Sequence, residues 1–181
     1  MKVTELSSGI WSVGMEDKYL RVFRSQSFTE AGMRYNSYLM DTDAGYMVFG
    51  SLPERYCGEW LSAIREKAGD KSVTHIVLFG VDSDLKAYAA IKEAYPEITL
   101  VCGEKTLYDL VTSGGRSDNT VLVRSGKRLT FGGRELNFRT VTDKRGTPSL
   151  YIIDTKTGAL FTADTFGSDC ALGAARVSDL A

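Results

Sequence analysis

The run Val73-Thr74-His75-Ile76-Val77-Leu78-Phe79 constrains this chain most. A strand covered on both faces reads as a nearly continuous apolar stretch, whereas a strand with one wet face alternates, so this segment is expected in the buried, parallel part of a sheet. Parallel neighbours need long crossovers, usually helical, and the flanking sequence supplies them. Upstream, Ser51-Leu52-Pro53-Glu54 predicts a helix start, with Ser51 as cap, Glu54 reaching back in a capping box and Pro53 tolerated in the first turn. Tyr56, Trp60, Ile64 and Lys67 follow at three- and four-residue spacing, Leu61 and Ala68 widen the stripe, and Gly69 ends it. Downstream, Leu85, Tyr88, Ile91 and Tyr95 mark a second helix that Pro96 stops. Residues 98–102 repeat the strand and Glu104–Thr112 the helix, which predicts right-handed βαβ crossovers.

On either side the pattern turns to short strands. Residues 9–15, 20–25, 35–41 and 45–49 read as an opening meander whose last two strands are joined by the tight link Thr42-Asp43-Ala44. Residues 121–123, 128–131, 135–141, 150–153 and 159–162 form a second set, punctuated by Gly132-Gly133. No repeat or linker interrupts the series. The expectation is one α/β domain over residues 1–181, with helices packed on mixed sheets.

Composition narrows the function classes. A hydrophobic fraction of 43% with 25% charged residues is that of a soluble globular chain. The formal charge of -1, with acids and bases interspersed, leaves no broad cationic face for phosphates, which argues against nucleic acid as a partner. The opening Met1-Lys2-Val3-Thr4-Glu5 lacks the apolar core of a signal peptide, and no apolar run approaches the roughly 18 residues of a membrane span, so no membrane association and a cytoplasmic location are expected. Cys57, Cys102 and Cys170 are odd in number, widely spaced and without a C-x-x-C pair; they read as reduced, small hydrophobes.

The loop Gly80-Val81-Asp82-Ser83-Asp84-Leu85 hands the buried strand to its helix. It resembles the His-x-Glu-x-Asp-His segment with which flavodiiron proteins, members of the metallo-β-lactamase superfamily, hold two iron ions. Further blocks carry the same resemblance in the same order. Residues 10–23 (IWSVGMEDKYLRVF) are similar to that family's opening strands, and residues 32–39 (GMRYNSYL) to its G-x-x-YN-S/A-YL segment. Asp164-Thr165-Phe166-Gly167, after Leu160-Phe161-Thr162-Ala163, is similar to the strand that ends in DAFG. The resemblance implies an αββα sandwich of mixed sheets flanked by helices. The small, polar tail at 167–181 stops without a closing element, so the C-terminal part is expected to be incomplete and the chain a fragment of a longer flavoprotein.

Carried over by position, the resemblance implies a degenerate metal site. The first and second histidines of the family fall on Gly80 and Leu85, its glutamate on Asp82, its aspartate on Asp84, its third histidine near Asp143, and its bridging aspartate on Asp164. The final histidine would lie beyond Ala181, and the aspartate that ends the family's LIDTV segment falls on Gly50. Non-haem iron that reduces dioxygen relies on imidazole nitrogen together with carboxylate, so the di-iron site is expected to be lost. The single histidine, His75, lies five residues back along its strand and reads as a core or strand-end residue.

The residual Asp82, Asp84, Asp143 and Asp164 form an all-oxygen set suited to Mg²⁺, Ca²⁺ or Mn²⁺. Their mutual repulsion is also answerable without metal, through Lys86, Lys144 and Arg145 and through capping of the following helix by Asp82 or Ser83. No G-x-S-x-G elbow occurs, and Ser113-Gly114-Gly115-Arg116-Ser117 reads as a helix-ending loop, not a phosphate cradle. Trp11, Trp60 and Tyr88 are expected in the core rather than as a flavin platform.

The expected function is that of a metal-free, flavodiiron-like scaffold or dimerisation module, a pseudoenzyme from an oxidoreductase class that reduces oxygen or nitric oxide. It would hold no cofactor itself, with FMN present only if a flavodoxin-like domain follows. Its implied partners are a second copy and a flavodoxin-like or rubredoxin-like domain or protein. The alternatives are a divalent-cation hydrolase using the aspartates, or electron transfer through an attached flavin domain.

Overall fold

The computed structural model describes residues 1–19, 22–23, 27–28, 32–80, 85–116, 118–142 and 148–163. A seven-stranded sheet is built from β1 (Lys2–Ser7), β2 (Ile10–Asp17), β5 (Met33–Thr42), β6 (Gly45–Phe49), β7 (Val73–Leu78), β8 (Thr99–Cys102) and β9 (Thr120–Leu122), side by side in that order. The first four strands are antiparallel neighbours, and β6 to β9 run parallel. Each parallel step carries a helix: α1 (Cys57–Ala68), α2 (Leu85–Ala94) and α3 (Glu104–Thr112). The predicted crossovers are therefore present, and the buried run at 73–79 sits in the middle of the parallel part.

A second, four-stranded antiparallel sheet contains β10 (Arg128–Phe131), β11 (Arg134–Thr142), β12 (Pro148–Asp154) and β13 (Leu160–Phe161). Two short strands, β3 (Val22–Phe23) and β4 (Ser27–Phe28), pair with each other, so the strand expected over 20–25 is described only at Val22–Phe23.

Alternation along the central strands separates two cores. On β6, Tyr46 and Val48 face the helices while Met47 and Phe49 face the second sheet; on β8, Leu100 and Cys102 divide from Val101 in the same way. The helix side gathers Trp60, Ile64, Tyr88, Ile91 and Leu110, so all three described helices cover one outer face. Trp60, fully buried, donates its indole N–H to Ser37 Oγ at 2.7 Å and so fastens α1 to β5. Between the sheets lie Met40, Val77, Phe131, Phe138 and Ile152. Among the described residues no helix covers the outer face of the second sheet, where Leu160 is 49% exposed.

One strand is added and one local expectation corrected. Ahead of the strand expected over 9–15, β1 is a strand of its own, joined to β2 at the Ser8-Gly9 turn, with Gly9 at φ 74°. The helix expected from Ser51 begins later. Pro53 is extended (φ -53°, ψ 148°) and caps a 3-10 turn, Glu54–Tyr56, without a side-chain cap bond, and α1 follows. Glu54 instead accepts a hydrogen bond from Lys86 at 2.6 Å, so one ion pair takes both the residue expected to close a capping box and the cation expected to answer the acidic loop. With side chains 63% and 70% exposed, that pair contributes little stability.

Candidate functional site

The parallel strands deliver their C-terminal ends to one end of the sandwich, and Gly50, Gly80 and Leu85 lie there. Gly50 leaves β6 at φ 67° and donates its N–H to the Val77 carbonyl at 2.8 Å. Phe79 and Gly80 leave β7, and Leu85 opens α2. Gly80 is exposed, and a Cβ built there would meet nothing within 4 Å among the described residues. Leu85 is half-buried and packs against the helix-side core. Of the two positions where the resemblance puts iron-binding histidines, one is thus an open backbone and the other a hydrocarbon committed to packing. Neither offers a donor side chain.

Asp82, Asp84, Asp143 and Asp164 all lie outside the described residues, as do Lys144, Arg145 and Cys170. Among the described residues no three or more His, Cys, Asp or Glu side chains come together as a metal ion would require. The approach to Asp164 carries one mark of its own: Ala163, the last described residue before it, is left-handed (φ 52°), a strained conformation for a side chain with Cβ.

The wall of this end is aromatic. Phe49 and Phe161 stack at 4.1 Å with planes 10° apart, Tyr38 meets Phe161 edge-on at 5.7 Å, and Phe79 packs on the same cluster. On the helix side, Asp17 at the end of β2 accepts from Arg55 at 2.8 Å and from Tyr56 OH at 2.7 Å, while Arg55 also donates to Tyr35 OH at 3.2 Å. Burial raises the Tyr35 and Tyr56 phenols above their ordinary range. This cluster is paired within itself, so Asp17 is a tie between the sheet and the 3-10 turn rather than a free base. Sequence reasoning missed it because Arg55 and Tyr56 stand 38 and 39 residues from Asp17, beyond any periodic pattern.

His75 is where the sequence places it, away from this end. It sits on β7 opposite Thr99, with Nδ1 2.8 Å from Thr74 Oγ1 and its ring edge-on to Phe131 at 4.9 Å. Burial lowers its pKa, favouring neutral imidazole. Trp60 and Tyr88 are core residues and Trp11 packs at its margin, as expected. Cys102 is fully buried, and burial pushes its thiol up to about 11, that of an inert hydrophobe. Gly114 and Gly115 bond back to Val111 and Leu110, which makes 113–116 the helix-ending loop expected.

At the opposite end, the turns at Ser8-Gly9, Asp43-Ala44 and Gly132-Gly133 enclose a cavity of about 290 Å³. Arg134, 5% exposed, lines it and stands 3.4 Å from Asp154, which is fully buried. Neither member of this pair was foreseen.

The two packed sheets and the parallel half-sheet with its helices match solved structures of metallo-β-lactamase-like fold. The solved structures the chain matches include flavodiiron proteins, as the sequence resemblance implies. Against rubredoxin oxygen:oxidoreductase from Desulfovibrio gigas the TM-score is 0.85 at 23% identity, over 99% of this chain and 45% of that one. Against the flavodiiron protein from Giardia intestinalis it is 0.80 at 24% identity, over 100% and 44%. A metallo-β-lactamase from Pontibacter korlensis shares the fold more distantly, with a TM-score of 0.66 at 13% identity over 86% of this chain and 67% of that one. Among curated proteins, coenzyme F420H(2) oxidase of Methanothermobacter marburgensis is 25% identical over 169 residues, 90% of this chain but 41% of its own length. The chain therefore spans less than half of that relative. No family model matches it. No helix among the described residues is long and apolar enough to cross a membrane.

Proposed function

We propose that this chain is a flavodiiron-type domain that has lost its di-iron ligands and serves as a scaffold or dimerisation module of a flavoprotein oxidoreductase. The observation that carries the reading is the fate of the two histidine positions. Gly80 is side-chain-free at the mouth of β7, and Leu85, half-buried, packs against the helix-side core. The donors that remain in the carried-over set are carboxylates, a hard-oxygen set poorly matched to the mixed nitrogen and oxygen ligation of oxygen-reducing iron. The residues present do not fit a di-iron centre, and no chemical step is assigned to one.

The matched relatives extend well beyond the matched length, which leaves room in a parent protein for a flavodoxin-like, FMN-binding part and for docking to a rubredoxin-like protein. In this reading the domain itself carries no cofactor, works in the cytoplasm and pairs with a second copy. The test is metal analysis after anaerobic reconstitution with ferrous iron, in buffers free of chelator. Substoichiometric iron without a ferric absorption band is expected; stoichiometric iron retained through gel filtration overturns the reading.

A further inference from the structure

β1 is the outermost strand of the large sheet, pairing with β2 alone. Among the described residues no strand pairs with its other edge, and Lys2 through Leu6 are exposed. An open edge of this kind offers backbone N–H and C=O groups to an added strand, the basis of β-augmentation. Alternation fixes what each face presents. Val3 lies opposite Val13 and Glu5 opposite Trp11, both on the helix side, so Met1, Val3 and Glu5 face α1 while Lys2 and Thr4 face away; the register shifts between Glu5 and Ser7, so the regular edge is Lys2 to Glu5.

Between this face and α1 runs a groove of about 870 Å³. Met1 and Val3 give it an apolar floor, Gly58 and Ser62 keep the helix flank low, and Glu59 and Glu66 stand on the rim. Glu5, Glu59 and Glu66 are exposed, and none is ion-paired among the described residues. Lys67 and the Met1 amino group border the groove as well, with the Lys67 ammonium 3.8 Å from the centre of the Trp11 ring. Glu5, Glu59 and Glu66 thus stand against two cations, and an unpaired strand edge, an apolar floor and a net negative charge coincide.

We propose that the β1 edge and this groove dock an extended, basic peptide segment, which adds as an eighth strand and alternates basic and β-branched side chains toward α1. The regular part of β1, Lys2 to Glu5, spans about 13 Å, enough to pair with four or five residues. A β-branched residue would meet Val3, and bases two positions to either side would reach Glu59 and Glu66. A second copy of this chain fits less well. Antiparallel pairing of two β1 edges keeps each face in register, so the partner would bring its own Glu5 into an already acidic groove.

The test uses the whole chain and a dye-labelled hexapeptide, KTVTKT, followed by fluorescence anisotropy. Binding is expected, weakening with added salt, with the β1 amides gaining protection in hydrogen exchange. The peptides ETVTET and KTPTKT should not bind, since one reverses the charge and the other removes a ladder donor while keeping it. Exchanging both rim acids, Glu59→Lys with Glu66→Lys, should weaken KTVTKT about tenfold or more without altering the unfolding midpoint appreciably. The proposal is overturned if KTVTKT and ETVTET bind alike, if the double variant binds as the parent does, or if the β1 amides stay unprotected. Reversible dimerisation through β1, read as protection of the β1 amides that rises with protein concentration and is not displaced by KTVTKT, would overturn it in favour of a second copy.

Discussion

Removing Asp154 should cost far more than removing its partner Arg134, although the two form one ion pair. The pair is buried, with the side chains 0% and 5% exposed and N and O 3.4 Å apart. At an effective dielectric near 20 that separation corresponds to about 5 kcal/mol of attraction, against which both desolvation costs are set. The difference lies in what each residue keeps when the other is gone. Asp154 Oδ2 also accepts from the Thr157 N–H at 3.1 Å and hydroxyl at 2.5 Å, so in Arg134→Met the carboxylate retains two donors. Among the described residues Arg134 has otherwise only the Ser8 carbonyl at 3.4 Å; its Nε lacks a partner, as does Asp154 Oδ1. A guanidinium cannot discharge by losing its proton. Asp154→Leu should therefore lose about 3–5 kcal/mol, near the usual cost of stranding a buried charge, and Arg134→Met about half of that. In a chain of this size the larger loss lowers the midpoint by roughly 10 °C. Urea unfolding of both single variants and of Arg134→Met/Asp154→Leu measures it. The double variant should recover about 2 kcal/mol relative to Asp154→Leu, since no unpaired cation remains. A loss below about 1 kcal/mol in Asp154→Leu, or strict additivity in the double, refutes the reasoning.

His75 supplies a pH test. Burial lowers its folded-state pKa below that of the unfolded chain, so the unfolded state takes up the proton first on acidification; stability is full above the unfolded value of about 6.5 and declines as pH falls toward the folded value. His75→Leu should flatten the decline between roughly pH 7 and 5, and an unchanged profile speaks against a buried neutral imidazole. Cys102, with its thiol near 11, should resist a maleimide at about pH 8 while the half-buried Cys57 reacts; labelling of Cys102 in the native protein, read by peptide mass, contradicts the packing. Gly50→Asp, which returns the aspartate of the resembling family, should cost less than about 1 kcal/mol, because Asp tolerates φ 67° and its Cβ would meet the Phe79 ring at 3.8 Å, an ordinary contact. Gly50→Val, β-branched in the same conformation, should lose clearly more in thermal unfolding.

The parallel half of the fold was legible because burial on both faces writes itself into sequence: the run at 73–79 has no wet side to interrupt it, and Trp60, Ile64, Tyr88 and Ile91 recur with the helix period on the faces that pack. β1 was blurred because its residues are exposed on both faces and carry no burial period. The start of α1 was misplaced because Ser51, Pro53 and Glu54 have the right chemistry at the right spacing, while Pro53 is extended and Glu54 turns to Lys86. Long-range pairs such as Asp17 with Arg55, or Arg134 with Asp154, have no local signal at all. At the candidate site, Gly80 and Leu85 could be read as non-donors from identity alone, and the structure adds that one is open to solvent and the other packed.

That division between core and site bears on the proposed function, under which the domain outlasts its metal. The two clusters that hold the sandwich together lie within its layers, one under the helices and one between the sheets, whereas Gly50 and Gly80 sit where strands end and Leu85 packs only on the margin of the first cluster. Ligand loss at strand ends removes no buried methylene from either cluster, so it need not cost the burial energy on which the fold depends. A domain whose stability came from metal would behave otherwise, because metal binding would then be part of its folding free energy. Under the proposed function the unfolding midpoint should not move when protein purified without chelator is treated with excess EDTA, nor when ferrous, manganous, magnesium or calcium salts are added at about a hundred times a micromolar affinity. A bound ion under those conditions would add about 2.7 kcal/mol and raise the midpoint by several degrees. A rise with iron alone would return the domain to redox chemistry, and a rise with the hard cations that Asp84→Asn abolishes would favour the hydrolytic alternative.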